Sequence, residues 1–572
     1  MSILSTGHAV QLIVRLLDPK VPTEPLVEFG PQKPPITPGP SLSPLPEDIP
    51  ERQGVSSRHI AAFLQQLRAD PTLNMHSVLI LRHGKLLCRA AFGAQQTDLP
   101  KLTFSACKSI TALAVGLAMD EGLLRPDDRL PDLFPEECGP VSRRLLKDVT
   151  VSHLLSMTAP VFFNEASSMT TDDWVRGYLS AAAMWQPGKK FQYNSLNTYM
   201  LAAVVTRLTG RSLSDYLTEK LFAPMGIADF HWETCPRGVE KGGWGLYMLP
   251  EDLAKLGMLV QNGGSWNGRQ LISRTFLEQA LQTHAITPES LGDFNYGWQI
   301  WVGRQDNAFL FNGMLGQNVL CYRDNDVILV SHGGNCESFQ QSNYFKIAKA
   351  WFSDPLPDEL PRDISGERQL KKLLAELQST EAPLPEQAAF APFSGRRFEA
   401  DDPCAVSAGL LPLVLQAVEN SYSHGLQAIT VTGTRRQVQV LYEERDQLHV
   451  ITAGTQEPVQ QELVFHGNCY RVAAQAKLTT DEDDHPVLRL QLDFLETPCT
   501  RILKLVLTPA GALLKQEETP GGDFVWNLVA DALQSSAART LAGALLGNSD
   551  PDFFQWRLQR IFSPTLRMKQ VL

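Results

Sequence analysis

The spacing of apolar residues divides the chain into a first part with mixed helices and strands and a later part dominated by strands. In the first part, GVSSRHIAAFLQQLRAD places a serine before an amphipathic run, which predicts a capped helix. The segment HSVLILRHGKLLCRAAFG predicts two strands joined by a tight turn at His83-Gly84. Strands return between YGWQIWVG and VILVSHGGN, with a turn at Asp324-Asn325. A sheet built from both ends of a domain predicts an α/β domain with a helical lobe.

The later part changes character beyond about residue 355. A charged helix, ERQLKKLLAELQ, leads into segments in which leucines alternate with polar residues, as in VLRLQLDF. This period of two is typical of strands with one buried face. The later part is therefore predicted to be a mostly antiparallel β module.

These patterns predict five regions. Prolines recur every few residues from Pro19 to Pro50, which prevents regular helix or central strand and indicates an extended arm. The predicted regions are an arm at 1–50, an α/β domain at 51–355, a linker helix at 356–389, a β-rich module at 390–518 and a helical segment at 519–572.

Composition and charge exclude several classes of function. The 572 residues carry a net charge of −11, and no basic stripe is visible, so nucleic-acid binding has no electrostatic source. Nine cysteines lie scattered without metal-ligand spacing, which favours reduced thiols and a cytoplasmic protein. The apolar stretch from Ala9 to Leu17 follows no basic region and contains Arg15, so no secretory signal is predicted. No run of about 18 apolar residues predicts a membrane span.

Ser105 and Lys108 are the first candidates for chemistry. They stand three residues apart in TFSACKSITALAVGLAMDEGLL, so a helix places them on one face. At a helix N-terminus, the Ser105 N–H is free to bind an oxyanion, and the helix dipole disfavours the Lys108 ammonium. The alternative is a capping serine followed by a solvated lysine. This S-x-x-K match is the only one in the chain.

Tyr193 is the second candidate, in QPGKKFQYNSLNTYMLAAVVTRLTG. It lies in a short extended piece before an amphipathic helix whose cap is expected near Ser195 or Asn197. A tyrosine beside Lys108 could act as a phenolate base toward Ser105, with Ser195 holding the lysine. The alternative is an aromatic residue of the core or the rim.

At this point the motifs resemble those of the serine β-lactamase-related hydrolases, which include class C β-lactamases, family VIII carboxylesterases and 6-aminohexanoate-oligomer hydrolases. The resemblance covers about residues 54–335 and rests on the order of SACK, VTVSHLLSMT, PGKKFQYNS, GGWGLYMLPEDLAKLGML and FNGMLGQ. It implies a β-lactamase-like antiparallel sheet flanked by helices. The implied roles are Ser105 as acylated nucleophile, Lys108 as its proton-handling partner, Tyr193 and Ser195 as the Y-x-N/S motif, Phe311, Asn312 and Gly313 as the third motif, and the Met314 N–H as an oxyanion donor.

Two departures from the family pattern bear on the substrate. Phe311 replaces the usual lysine of K-T-G, so the cation that would face a β-lactam or peptide carboxylate is missing. Ser195 stands where many relatives have asparagine. SHGGN, beginning at Ser331, also resembles an H-x-G third motif and is an alternative position for it.

Four aromatic residues are candidates for substrate binding. Phe311 would present an apolar ring at the third motif, and Trp174, Tyr178 and Trp185 could line an apolar acyl site, with the helical core as the alternative for these three. Cys107 is expected to point away from Ser105, and His153 to stand at a helix start. The DEDDH segment at Asp481 is expected to be a solvated loop.

Together these residues predict a serine hydrolase that cleaves a small-molecule ester or amide through an acyl-enzyme. No metal or organic cofactor is required by this chemistry. The alternatives are a β-lactamase or D-alanyl peptidase of the same fold and a non-catalytic acyl-binding or sensor protein.

Overall fold

A computed structural model describes residues 24–401, 408–524 and 550–571. The N-terminal stretch examined for a secretory signal lies outside these residues. The chain divides into two compact units. The described part of the first unit is 37–378, and that of the second is 24–36 together with the described residues from 379 onward. The five sequence-derived regions stay a prediction. Among the described residues, no helix combines the length and apolar composition needed to span a bilayer.

The first unit is built on a seven-stranded antiparallel sheet. Its helices are α1 (Ser57–Ala69), α2 (Cys107–Asp120), α3 (Leu130–Leu133), α4 (Pro140–Leu145), α5 (Val151–Leu155), α6 (Glu165–Ser168), α7 (Trp174–Ser180), α8 (Ser195–Thr209), α9 (Leu213–Leu217), α10 (Ala223–Met225), α11 (Pro250–Gln261), α12 (Arg274–Ala280), α13 (Asn343–Phe352) and α14 (Ile364–Gln378). Its strands are β1 (Met75–Arg82), β2 (Lys85–Ala91), β3 (Lys101–Leu102), β4 (Phe230–Trp232), β5 (Leu246–Met248), β6 (Ser265–Trp266), β7 (Arg269–Gln270), β8 (Phe294–Tyr296), β9 (Trp301–Gly303), β10 (Ala308–Gly313), β11 (Gln317–Tyr322) and β12 (Val327–Gly333).

The order of strands in this sheet joins the two ends of the unit, as predicted. It runs β2-β1-β12-β11-β10-β9-β8, and β1 pairs with β12. Helices α1, α13 and α14 pack on one face of the sheet, and α2 and α11 pack on the other. Both faces are therefore buried, which explains why every residue of β1 and β12 is buried. The expected β-lactamase-like sheet with flanking helices is confirmed.

Local signals account for several element boundaries. Ser56 caps α1, and its side chain accepts the N–H of Arg58 at 3.2 Å. His83 and Gly84 both have positive φ, 49° and 70°, as a two-residue hairpin turn requires. The cap of α8 is Asn194, one residue earlier than expected, because its side chain accepts the N–H of Leu196 at 2.9 Å.

The second unit contains a ten-stranded sheet that closes on itself. Its strands are β13 (Arg396–Ala400), β14 (Leu426–Gly433), β15 (Gln437–Glu444), β16 (Leu448–Gly454), β17 (Val459–Phe465), β18 (Asn468–Thr480), β19 (Pro486–Phe494), β20 (Thr500–Thr508), β21 (Gly511–Thr519) and β22 (Thr565–Val571), and its helices are α15 (Gln387–Phe390), α16 (Leu413–Glu419) and α17 (Pro551–Phe562). The order is β16-β15-β14-β13-β22-β21-β20-β19-β18-β17, and a bridge from Gly454 to Gln475 closes the sheet. The predicted antiparallel module is confirmed.

One sequence-based expectation for this unit needs correction. The segment 519–572 was expected to be helical, but its described part holds both the helix α17 and the strand β22. Strand β22 pairs with β13 and β21, and it buries Leu566 and Met568 in the interior of the closed sheet. Pairing with strands distant in the sequence therefore decides the conformation of these residues.

Candidate active site

Ser105 lies in a strained turn between β3 and α2. A 3-10 turn at Phe104–Ala106 precedes the 14 residues of α2, and Phe104 has a φ of 45°, which is unusual for a bulky residue. The backbone N–H and the hydroxyl of Thr103 both donate to the carbonyl of Leu246, at 2.8 and 3.0 Å. This anchored turn holds Ser105 half-buried at the N-terminal end of a long helix.

Lys108 contacts Ser105 directly. Its Nζ lies 2.8 Å from the Ser105 Oγ, 2.9 Å from the Ser195 Oγ and 2.6 Å from the carbonyl oxygen of Gly243. The side chain is 1% exposed. Burial lowers the pKa of Lys108 to about 8, against the opposing effects of Cys107 and Glu165. A substantial fraction of neutral amine is therefore available at mildly alkaline pH.

Tyr193 lies over the same ammonium group. The Lys108 Nζ is 5.0 Å from the centroid of its ring, and the neighbouring Ser105 side chain opposes part of the rise in the pKa of the tyrosine hydroxyl. Phe339 packs edge-on against the ring at 5.1 Å, and Trp301 stacks on it at 6.1 Å. This desolvation raises the pKa of Tyr193 far above its ordinary value of 10, so the phenol is neutral at physiological pH.

The start of α8 brings Ser195 to Lys108. The Asn194 side chain caps the helix, and its Nδ2 donates to the carbonyl oxygens of Val161 at 3.3 Å and Phe163 at 2.9 Å. The backbone N–H of Ser195 donates to Glu165 Oε1 at 3.1 Å. The segment around residues 161–165 thus holds the Tyr193–Ser195 motif in place.

The end of β10 lies against the Ser105 turn. A Cβ on Gly313 would come within 2.3 Å of the carbonyl oxygen of Thr103, so only glycine fits there. Met314 follows, half-buried, at the start of a short 3-10 turn. In the part of the chain that the structure describes, neither the Ser105 N–H nor the Met314 N–H donates to a backbone carbonyl. Both are free for an oxyanion.

Asn312 and the 3-10 turn at Met314–Gly316 form hydrogen bonds with a loop at residues 334–342. The Asn312 side chain donates to Asn318 Oδ1 at 2.8 Å and accepts from Gln340 Nε2 at 3.0 Å. Leu315 has a φ of 65°, and its N–H donates to the Glu337 carbonyl at 2.8 Å. The same loop carries Phe339 onto Tyr193. It therefore contacts both the turn at Met314–Gly316 and the ring of Tyr193.

Three of the four residues expected to bind substrate lie in the core instead. Trp174, Tyr178 and Phe311 are each 0% exposed. Trp174 stacks on Trp244, the Tyr178 hydroxyl donates to Asn197, and Phe311 packs on Phe309. Trp174 and Tyr178 therefore belong to the helical core, which was the alternative to a role in binding. Trp185 is half-buried and has Lys190 over its ring at 5.2 Å.

Two groups that contact the site were not predicted from the sequence. Gly243 accepts from Lys108 through its carbonyl, and a Cβ there would lie 2.7 Å from the Ser195 carbonyl oxygen. The only signal for this glycine in the sequence is that its segment, GGWG, belongs to the motifs of the family resemblance. Glu165 had no signal, because a lone acidic residue in a loop has no distinctive pattern.

The remaining candidates have structural positions. His153 forms a capping box with Thr150 at the start of α5, and the Cys107 Sγ donates to the Gly242 carbonyl at 3.2 Å. His332 of SHGGN is fully buried on β12 and belongs to no open surface. Asp481, Asp483 and His485 could each offer one ligand atom to a cation, these atoms lying within 4.8 Å of one another at a hairpin turn. Asp481 also accepts two backbone N–H groups there, which is typical of an ordinary turn.

A prediction on pH and stability arises from Glu337 in the 334–342 loop. Its Oε2 accepts the Ser342 N–H at 2.8 Å, but its buried Oε1 has no partner among the described residues. Burial raises the pKa of Glu337 from 4.5 to about 7. Above pH 4.5 the unfolded chain ionises this group more readily than the folded chain, so its contribution to stability falls as pH rises toward 7.

We therefore expect Glu337→Gln to be more stable than the wild type at pH 8, by up to about 3 kcal/mol in the free energy of unfolding. The two proteins should converge near pH 4.5. Urea denaturation at both pH values measures the difference, with Glu136→Gln at an exposed position as the control. An unchanged pH dependence in the Glu337 variant would contradict the assignment.

An antiparallel sheet between helices, with a Ser-x-x-Lys pair beneath a tyrosine, defines the β-lactamase-like class of folds. Residues 60–332 match the Beta-lactamase family, and the resemblance predicted from the motifs is confirmed for this segment. The 6-aminohexanoate-dimer hydrolase of Paenarthrobacter ureafaciens is 27% identical over 283 residues, which are 44% of this chain and 70% of that protein. Penicillin-binding protein 4* of Bacillus subtilis (strain 168) is 21% identical over 296 residues.

The extent of these matches is limited. The alignment with penicillin-binding protein 4* covers 42% of this chain and 62% of that protein, which is less than two thirds of its length. A crystal structure of a family VIII carboxylesterase aligns with 58% of this chain and 99% of its own, at 17% identity and a TM-score of 0.41.

Proposed function

We propose that this chain is a serine hydrolase that cleaves esters or amides through an acyl-enzyme on Ser105. The observation that carries the proposal is the contact of 2.8 Å between the Nζ of the buried Lys108 and the Oγ of the half-buried Ser105. A buried amine within hydrogen-bond distance of a hydroxyl at a helix N-terminus is the arrangement that activates a serine nucleophile.

Lys108, in its neutral form, is the proposed base for acylation. The Gly243 carbonyl can only accept a hydrogen bond, and the Ser195 Oγ can also accept, so two N–H groups of the amine have partners. The lone pair is then directed at the Ser105 hydroxyl. Tyr193 is less suited to this role, because its pKa is raised and the phenolate is scarce.

The reaction proceeds in two stages. The Ser105 Oγ attacks the substrate carbonyl carbon while its proton passes to Lys108, and the N–H groups of Ser105 and Met314 stabilise the oxyanion. The bond to the leaving alcohol or amine then breaks, and the leaving group takes a proton from Lys108 through the Tyr193 hydroxyl. A water molecule attacks the acyl carbon in the same way and regenerates the Ser105 hydroxyl.

Neutral acyl groups are the proposed substrate class. The third motif presents a buried phenyl ring and an amide already bonded to Gln340, and neither is a charged partner for a carboxylate. Losing a charge-assisted hydrogen bond costs about 1.5–3 kcal/mol, or roughly one to two powers of ten in specificity. The 27%-identical relative is named as a hydrolase of a 6-aminohexanoate dimer.

A substrate panel tests the proposal on a preparation titrated with a fluorophosphonate probe. We expect p-nitrophenyl butyrate to be hydrolysed with a kcat/KM roughly ten-fold or more above that of a chromogenic cephalosporin, because the carboxylate has no cation at the third motif. A cephalosporin kcat/KM above that of the best small ester would contradict the substrate class. A burst of acylation without turnover on every substrate would contradict the hydrolase and indicate an acyl-binding protein.

A further inference from the structure

Glu165 lies next to the proposed machinery but has no role in the steps above. It is the first residue of α6, and its Oε1 accepts the backbone N–H of Ser195 at 3.1 Å. The hydroxyl of the same serine contacts the Lys108 Nζ at 2.9 Å. A short chain of contacts therefore links this carboxylate to Lys108 and, through it, to the Ser105 hydroxyl.

The surroundings of Lys108 contain few titratable groups. Cys107 on α2 is buried, and burial raises the pKa of its thiol to about 12, so it is neutral at working pH. Tyr193, in the segment before α8, is also neutral there. Glu165 on α6 is the remaining group with an electrostatic effect on Lys108 among those described, and it favours the charged amine.

We propose that Glu165 is a positioning residue for Lys108, because its carboxylate fixes the Ser195 end of α8 and favours the ammonium form of Lys108. It thereby raises the pH above which Ser105 becomes nucleophilic. This inference rests on the proposed function and adds to it a determinant of pH dependence.

The two parts of this role have different chemical requirements. Accepting the Ser195 N–H needs only an oxygen, which an amide also supplies. Favouring the ammonium form needs the negative charge, and because the Glu165 side chain is exposed, salt should screen that effect. Glu165→Gln therefore removes the charge and keeps the hydrogen bond, whereas Glu165→Ala removes both.

The experiment measures the rate of Ser105 labelling by a fluorophosphonate between pH 5.5 and 10, in low salt and in 1 M NaCl. In this reaction the Ser105 Oγ bonds to phosphorus and displaces fluoride, so no knowledge of the natural substrate is needed. The wild-type rate should rise with an inflection near pH 8, the value expected for Lys108.

For Glu165→Gln in low salt we expect the inflection to move down by about 0.5 pH unit, which makes labelling at pH 7 about three-fold faster, with an unchanged plateau. Glu165→Ala should show the same shift and a lower plateau. In 1 M NaCl the wild-type inflection should approach that of Glu165→Gln. Asp172→Asn, which removes an exposed carboxylate paired with Arg237, is the matched control and should leave the inflection in place.

Two kinds of failure are distinguishable. A Glu165→Gln profile that superimposes on the wild type, or that moves to higher pH, would overturn the role of Glu165 while leaving the acyl-enzyme proposal intact. An equal loss of rate at every pH would indicate a purely structural residue. Labelling that persists in Ser105→Ala would instead overturn the proposed function itself.

Discussion

Replacement of Ser105 by alanine is expected to lower ester turnover by roughly four to six powers of ten, because the proposed acyl acceptor is the hydroxyl that contacts Lys108 next to the N–H groups proposed for the oxyanion. The folded state should be nearly unaffected, since only one half-buried oxygen atom is removed. Turnover of p-nitrophenyl butyrate, corrected for folded protein by circular dichroism, measures the effect.

Ser109 on the same helix offers a matched control. It is buried, and its hydroxyl donates to the Gln299 carbonyl at 2.7 Å, so Ser109→Ala should cost about 1 kcal/mol of stability. Its turnover per folded molecule should stay within a few-fold of the wild type. Hydrolysis retained by Ser105→Ala would show that another group is the nucleophile.

Replacement of Lys108 by methionine is expected to lower turnover by roughly 10²- to 10⁴-fold, because the variant lacks the proposed base for Ser105. Methionine fills a similar volume, and removing a buried amine should leave the free energy of unfolding unchanged or higher. The alkaline rise near pH 8 in kcat/KM should disappear with it. A pH profile with this rise still present would assign it to another group.

Tyr193→Phe provides a test of whether the groups act as one unit. The variant removes the hydroxyl next to Ser105 and keeps the ring that packs on Phe339. The double variant with Lys108→Met should lose little more activity than either single variant, because both groups serve the same proton transfer. Fully additive losses would indicate independent roles.

The local part of the site could be predicted from the sequence because it depends on short separations along the chain. Ser105 and Lys108 lie one helical turn apart, and the helix itself brings their side chains to 2.8 Å. The hairpin turns at His83-Gly84 and at Arg323–Asn325 follow from the residues at the turns. The alternation in VLRLQLDF likewise predicted a strand with one buried face.

Pairings between distant segments could not be predicted in the same way. Contact between Gly243 and Lys108 depends on a loop 135 residues away along the chain. Strand β22 forms because it pairs with β13 on one side and with β21 on the other. Its place in the sequence, directly after a helix, does not indicate these pairings. In both cases the backbone groups involved have no signature in the residue types.

The sequence by itself determined the proximity of Ser105 and Lys108, the two types of sheet and the family resemblance, since these depend on periodicity and on motif spacing. Only the tertiary structure decided which side chains are accessible. Trp174, Tyr178 and Phe311 are completely buried, because aromatic rings stabilise a core as readily as they line a binding site. The tertiary structure also brought the carboxylate of Glu165 to Ser195, a contact that depends on how α6 packs beside α8.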